Sequence, residues 1–420
     1  MKIAMLNTFD DSGGAARSAY RLHQGLVRRG VASQFVTQYN KRGDPEIVCG
    51  TTRSEKLIAL LRPLIDMIPL KMYWRRDRLQ PFSTAFVPVA RRIRKAVADA
   101  DVLHLHWIVR GFVNITFLKQ AKRPIVWTMH DSWAFTGGCH LPAACRRYQQ
   151  ACGQCPQLGS LRKADLTHLN WQQKLRTFRD LDMIVVAPSN WLAECARTSS
   201  LFVGRRVEVI PNGIDTDVFK PIDSSVCRRM LNLPEGKHMI LFGAVGATTD
   251  HNKGFDLLRQ AMAALPRHVD GKECMLLVFG AHRLDIPDMK IDVRFMGTLT
   301  DDIALSVLYS AADVMVVPSW QENLPNTVME AMACGTPAVA FRTGGIPDLI
   351  EHHHSGYLAE PFDTDELSQG ISWVLERSGR AALLGVRCRQ KIESEFTLDV
   401  VTKSYIRLYL ELLGGAHASQ

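Results

Sequence analysis

The sequence predicts an α/β protein made of two Rossmann-like, doubly wound domains facing a central cleft. Three observations carry that expectation. Short apolar runs alternate with helical patterns along most of the 420 residues. Several of these runs are continuously apolar rather than alternating, as strands are when helices cover both faces of a parallel sheet. The runs also fall into two series, and Pro211-Asn212-Gly213-Ile214-Asp215 punctuates the chain between them.

The first series reads Lys2–Leu6, Ala32–Val36, Val102–His106, Ile125–Thr128 and Met183–Ala187. The second reads Val207–Ile210, Met239–Phe242, Met275–Phe279, Val293–Met296, Val314–Val317 and Ala338–Phe341. Strands alternating with helices imply a doubly wound plan in each half. The expected division is an N-terminal domain over 1–205 and a C-terminal domain over 206–396, with a last helix over about 397–420 packing back on the first. Open parallel sheets bind ligands beyond the carboxyl ends of their strands.

Composition is that of an ordinary globular chain, 46% hydrophobic and 22% charged. No apolar run reaches the roughly 18–20 residues of a membrane span. The opening Met1-Lys2-Ile3-Ala4-Met5-Leu6 reads as a buried strand rather than a secretory signal. A cytoplasmic protein, peripheral on the inner face of the cell membrane, is expected. Six of the ten cysteines (Cys49, Cys195, Cys227, Cys274, Cys334, Cys388) are scattered in apolar or helical contexts and read as reduced, buried side chains. The net charge of +9 is concentrated: residues 53–95 hold eleven Lys/Arg against Glu55, Asp66 and Asp77, a local balance of +8. That asymmetry points to an anionic partner.

After the first strand, Gly13-Gly14 enters a helical stretch running through Val27. A glycine pair lets backbone approach an anion at a helix N-terminus, and equally makes a plain strand-to-helix turn. Spacing alone leaves both readings open.

In the second half, Val314–Val317 ends at Pro318-Ser319. A loop through Pro325 follows, then a helix from about Asn326 to Cys334, with Pro325 as its first residue and Gly335 as its stop. Glu322 lies in the loop and Glu330 on the helix, eight positions on. Two carboxylates so placed can accept hydrogen bonds from two parts of one polyhydroxylated ligand; solvated surface charge is the alternative.

The run from Pro318 to Pro337, with glutamates 322 and 330 followed by Ala331-Met332-Ala333-Cys334-Gly335-Thr336-Pro337, resembles the signature of family 4 glycosyltransferases. Gly344-Gly345-Ile346-Pro347-Asp348, Gly356-Tyr357-Leu358, Gly13-Gly14, His130-Asp131, Pro211–Asp215 and Lys253-Gly254 fit the same family in the same order. The resemblance implies the glycosyltransferase-B fold and a retaining, metal-independent transfer with no cofactor required for catalysis. It implies that Glu330 holds the donor ribose and Glu322 a donor sugar hydroxyl. The backbone of Asn323-Leu324-Pro325-Asn326 would touch the sugar and diphosphate, as Gly13 and Gly14 would in the first half. Lys253 would neutralise the leaving diphosphate, a contribution of roughly 3–4 kcal/mol by analogy with one oxyanion donor. His130 would contact the donor sugar. One departure stands out: the family's arginine shortly before the lysine is missing from Gly243–Asn252.

Two Asp-x-Asp triplets invite a divalent ion. Asp215-Thr216-Asp217 lies in the interdomain segment, and Asp363-Thr364-Asp365 reads as a helix cap before Glu366-Leu367. Cys139, Cys145, Cys152 and Cys155 fall within seventeen residues, with His140 as a spare ligand. A structural zinc, redox disulfides and free thiols are all compatible with that spacing. Phe135-Thr136-Gly137-Gly138-Cys139-His140 resembles a polysaccharide-building subgroup, of the colanic acid and exopolysaccharide kind, whose cysteine loop lies on the acceptor side.

From Lys56 to Arg76 the chain mixes apolar residues, aromatics and cations. It reads either as a membrane-interface segment or as a core helix with a solvated edge, interrupted at Pro63 and Pro69. No nucleic-acid motif accompanies the charge. The expected partners are a nucleotide-diphosphate sugar, a glycan acceptor carried on polyprenyl diphosphate, and an anionic membrane surface. The expected function is sugar transfer in exopolysaccharide, capsule or lipopolysaccharide synthesis. The rivals are a phosphorylase, a sugar-nucleotide epimerase and a non-catalytic basic membrane-binding protein.

Overall fold

The computed structural model describes residues 1–281, 289–377 and 379–417. Residues separate into two compact units, Met1–Pro211 with Val401–Gln420, and Asn212–Val400.

The first unit is built on a parallel sheet of β1 (Lys2–Leu6), β2 (Ala32–Val36), β3 (Val102–Leu105), β4 (Ile125–Thr128), β5 (Met183–Ala187) and β6 (Val207–Val209), in the order β2-β1-β3-β4-β5-β6. Successive strand residues point to opposite faces. Ala4, Leu6, Leu103, Leu105, Trp127 and Val185 enter one core. Ile3, Met5, Val102, Val126, Ile184 and Val186 enter the other, where Val401, Tyr405, Leu408, Tyr409 and Leu412 of the last helix, Leu398–His417, cover them. Residues 418–420 of the helix expected there lie outside the described residues.

The second unit holds β7 (His238–Gly243), the short β8 (His268–Val269), β9 (Lys272–Phe279), β10 (Asp292–Gly297), β11 (Val314–Val317), β12 (Ala338–Phe341) and β13 (Gly356–Ala359). Its order is β10-β9-β7-β11-β12-β13, parallel throughout, with β8 antiparallel to β9. The chain therefore winds one way from β7 and then reverses at β11. Two adjacent strands with outgoing connections in opposite directions leave a crevice at their carboxyl ends.

Several details differ from the sequence reading. Val207–Val209 pairs with β5 and so belongs to the first sheet, which moves the division from 205/206 to 211/212. The strand Gly356–Ala359 was legible only as a glycine motif. Pro325 is the N-cap of helix Asn326–Ala333 rather than its first residue, its ψ of 118° being extended. Cys49 is half-buried, whereas Cys195, Cys227, Cys274, Cys334 and Cys388 are buried. Pro63 does not interrupt its helix, which runs Arg53–Asp66. Nor is that a core helix, since only Ala59, Arg62 and Asp66 of it are buried. Among the described residues no helix is long and apolar enough to cross a membrane.

Candidate active site

In the second unit, the loops leaving β7 and β11 meet at the point where the winding reverses. The β7 loop ends in a short helical turn, His251–Lys253, capped by Asp250, whose Oδ1 accepts from Asn252 N at 3.0 Å. The β11 loop runs from Pro318 to Pro325. Asn252 ties the two: its side chain donates to Gln321 O at 2.8 Å and its carbonyl accepts from Trp320 N at 2.9 Å.

Gly254 makes this approach sterically feasible, and Gly344, in the loop after β12, lets a third loop close on Glu322. Gly254 has φ +69°, and a Cβ there would stand 1.9 Å from Pro318 O. Gly344 has φ +55°, and its Cβ would stand 1.8 Å from Glu322 O. The next residue, Gly345, donates its N–H to that same oxygen at 3.0 Å. The Glu322 backbone is thus gripped from one side while its side chain turns to the other.

There Lys253 Nζ donates to Glu322 Oε1 at 2.7 Å, with the side chains 24% and 13% exposed. Burial pulls the Lys253 pKa down, but the charge and hydrogen bond of Glu322, with Asp250 behind, outweigh it and hold the ammonium above the ordinary lysine value. Lys253 is therefore a fixed cation at neutral pH. Glu330 is buried on the first turns of helix Asn326–Ala333 and accepts from Tyr309 Oη at 2.9 Å. Asn326 Oδ1 accepts from Asn212 Nδ2 at 3.2 Å, which ties the helix start to the Pro-Asn-Gly segment. The helix N-terminus adds partial positive charge close to the Glu322 loop. Together these groups offer a cation, a helix terminus and a buried carboxylate, the complement of a diphosphate joined to a diol.

The first unit presents a different chemistry. Gly13 has φ +87° and caps helix Gly14–Arg28 without any side-chain hydrogen bond. His130 follows β4, and its Nε2 is 3.0 Å from His106 Nδ1, at the end of β3. His106 Nε2 is buried and has no hydrogen-bond partner among the described residues. Burial pulls His130 down to about 4, only partly opposed by Asp131, so the ring is neutral at physiological pH. Asp131 itself accepts from Trp107 Nε1 at 2.7 Å and from Trp133 N at 2.8 Å, and lies 2.6 Å from His140 Nδ1. Burial would raise its pKa, but His140 and these donors hold it below the usual carboxylate value. A small cavity beside His106 and His130 is lined further by Trp107, Met129, Asp131 and Trp133. Behind it, His104 joins Thr128 at 2.8 Å and Tyr409 at 2.6 Å, while Thr128 joins Tyr405 at 2.7 Å.

Sequence reading missed His104, His106, Tyr309 and the two tyrosines. The available signal was His104-x-His106, two polar rings on one face of an otherwise apolar strand.

The four clustered cysteines are free thiols, two half-buried (Cys139, Cys145) and two buried (Cys152, Cys155). Cys152 Sγ accepts from Gly137 N at 3.1 Å. Burial pushes the Cys139 thiol far up and Cys152 up to about 11, and each is raised further by neighbouring thiols. Among the described residues no three His, Cys, Asp or Glu side chains are grouped so as to hold a metal ion, and His140 is turned to Asp131 and Ser83 instead. What fixes the loop is Lys174. It is buried over the Trp133 ring and donates to Trp133 O and to Thr136 O. Of the two acidic triplets, Asp363 Oδ1 accepts from Glu366 N at 2.9 Å as a helix cap, and Asp215 Oδ1 accepts from Asp217 N at 3.1 Å within a turn.

Two family models match this chain. Residues 12–218 match the model described as Glycosyltransferase Family 4, and residues 240–377 that described as Glycosyl transferases group 1. The chain belongs to the family 4, group 1 glycosyltransferases. The putative colanic acid biosynthesis glycosyl transferase WcaC of Escherichia coli K12 is 27% identical over 377 residues, covering 84% of this chain and 85% of the relative. Two solved structures share the fold. Sucrose-phosphate synthase of Thermosynechococcus elongatus superposes with a TM-score of 0.69 at 22% identity, covering 99% of each chain. Anabaena HepE, in complex with UDP-glucose, does so with 0.64 at 16% identity, covering 100% of each. The chain is thus a glycosyltransferase of the glycosyltransferase-B fold, with the Lys253–Glu322 pair in the half that matches the group 1 model.

Proposed function

We propose that this glycosyltransferase moves a hexose from a nucleotide-diphosphate donor to a growing, lipid-linked glycan, with retention of anomeric configuration, in exopolysaccharide, capsule or lipopolysaccharide synthesis. The observation that carries the reading is the Lys253–Glu322 ion pair set beside the helix bearing buried Glu330. The described structure of HepE with UDP-glucose and the likeness to a putative colanic acid transferase support the donor class and the pathway class.

In this reading Glu330 accepts hydrogen bonds from the donor ribose, oriented by Tyr309. The start of helix Asn326–Ala333 and the backbone at Asn323–Asn326 receive the diphosphate and sugar, and Glu322 takes a sugar hydroxyl. Lys253 then shifts from the carboxylate towards the diphosphate as charge collects on it. Its elevated pKa suits it to be a constant charge and not a proton carrier. The bond from the anomeric carbon to the phosphate oxygen breaks, and the acceptor oxygen bonds that carbon on the same face. The acceptor proton passes to the departing phosphate. The 1–211 unit, with Gly13, Gly14 and neutral His130, is assigned to the sugar and acceptor side. No arginine lies in Gly243–Asn252, shortly before Lys253, so the lysine and the helix terminus carry the diphosphate charge between them.

A thermal-shift screen of uridine, guanosine and adenosine diphosphate sugars identifies the donor. Stabilisation by one of them that Glu330→Ala abolishes supports the reading. No stabilisation by any of them counts against it.

A further inference from the structure

Helix Arg53–Asp66 is folded polar side in. Its buried stripe is Ala59, Arg62 and Asp66, spaced by three and four residues so that they share one face. Arg62 Nε donates to Gly111 O at 2.6 Å, and Arg62 Nη2 donates to Pro88 O at 2.6 Å and to Phe112 O at 3.2 Å. Asp66 Oδ1 accepts from Thr84 Oγ1 at 2.8 Å, and its carbonyl accepts from the same hydroxyl at 2.7 Å. A capping box between Thr52 and Glu55 closes the N-terminus. The helix is therefore held by polar anchors, and its apolar residues are left over.

Those residues face solvent. Leu57, Ile58, Leu60, Leu61, Leu64 and Ile65 are 39–63% exposed. Further along the chain Met72, Trp74 and Leu79 are exposed at 81%, 74% and 76%. Exposed apolar side chains gathered on one helix in this way mark interaction sites. Around them stand Arg53, Lys56, Lys71, Arg75, Arg76 and Arg78, against only Glu55 and Asp77 outside the buried pair. Glu55 is already engaged by the cap and by Arg92 at 3.4 Å.

The charge decides the occupant. Two copies meeting through this face would bring like charges together, which costs free energy. A neutral apolar partner would desolvate the cations without pairing them. Anionic headgroups over a hydrocarbon layer satisfy both components, with leucines below the headgroups, cations at the phosphates and Trp74 at the boundary. We propose that residues 53–79 form a docking surface for an anionic bilayer, with helix Arg53–Asp66 lying in the membrane interface. This surface shares no residue with the donor site.

Flotation of the full chain with extruded vesicles tests it, comparing phosphatidylglycerol–phosphatidylcholine with phosphatidylcholine alone. Wild type is expected to float with the anionic vesicles. Leu60→Glu with Leu64→Glu should cut partitioning roughly tenfold or more, because charges replace residues in the apolar layer. The milder Leu60→Ser with Leu64→Ser should reduce it in the same direction, and since all four changes are at exposed positions, melting curves should be unmoved. Lys71→Glu with Arg78→Glu should weaken binding roughly tenfold at low salt, and less as salt screens the headgroups. Wild type floating no better than the Leu60/Leu64 variants would overturn the proposal, as would loss of binding by the charge variant alone. A lipid-free dimer in sedimentation velocity that the Leu60→Ser/Leu64→Ser variant dissociates would assign the face to a second copy instead. No outcome involves sugar transfer, so failure here leaves the transferase reading standing.

Discussion

Lys253 and Glu322, 69 residues apart, are joined at 2.7 Å because the chain reverses its winding between β7 and β11. Each residue sits in the loop leaving one of the two strands at that reversal; Gly254 lets those loops close on each other, and Gly344, in the loop after β12, backs the Glu322 carbonyl.

Gly344→Ala should therefore damage the site from behind. Its Cβ would press on Glu322 O in a backbone region that L residues rarely adopt. A destabilisation of about 1–3 kcal/mol in urea unfolding is expected, together with loss of donor-dependent turnover. Gly13→Ala is the contrast. A Cβ there meets nothing within 4 Å, so only the strain of φ +87° remains, about 1 kcal/mol. Equal costs at the two positions would argue against the close approach of Gly344 to Glu322.

Glu330 is a buried carboxylate hydrogen-bonded to Tyr309. Glu330→Ala should weaken donor binding by about 1.5–3 kcal/mol, roughly 10- to 100-fold in Kd, as expected for hydrogen bonds to a charged group. Tyr309→Phe should weaken it by less, about 1 kcal/mol, because it alters only the orientation of the carboxylate. Isothermal titration with the donor found by screening checks both. Unchanged affinity in Glu330→Ala would remove it from the donor site.

The histidines behind the first-unit cavity predict a pH dependence. Burial lowers His104 to about 3 and His130 to about 4, and His106 is lowered well below its ordinary value. Unfolded histidines titrate near 6.5, so between about pH 6.5 and 4 the unfolded chain binds more protons than the folded one. Their stabilisation is present above that window and is lost as pH falls through it. Asp131, held below the usual carboxylate range, contributes a loss only at still lower pH. Urea midpoints at pH 7, 6 and 5 should fall in that order, and His106→Asn should flatten the trend.

Most of the strand framework was legible because buried parallel strands write themselves as apolar runs. Glu322, Glu330 and Lys253 were legible because their motif is local and distinctive. The partners of those residues were not. Tyr309 lies on an apolar helix, and only packing turns its hydroxyl to Glu330. Tyr405 and Tyr409 reach Thr128 and His104 across 277 and 305 residues. The direction of helix Arg53–Asp66 was equally hidden, because an apolar count does not say which face meets the core. Its buried Arg62 and Asp66 are anchored by backbone carbonyls and a threonine that only the fold brings near.

The central claim is that Lys253 stabilises the departing diphosphate. The most direct test is single-turnover release of nucleoside diphosphate by Lys253→Met, with donor affinity measured in parallel. The expected result is a kcat lower by roughly 100- to 1,000-fold, the cost of one oxyanion-type donor, with donor binding weakened far less. Turnover like that of wild type would contradict the assignment.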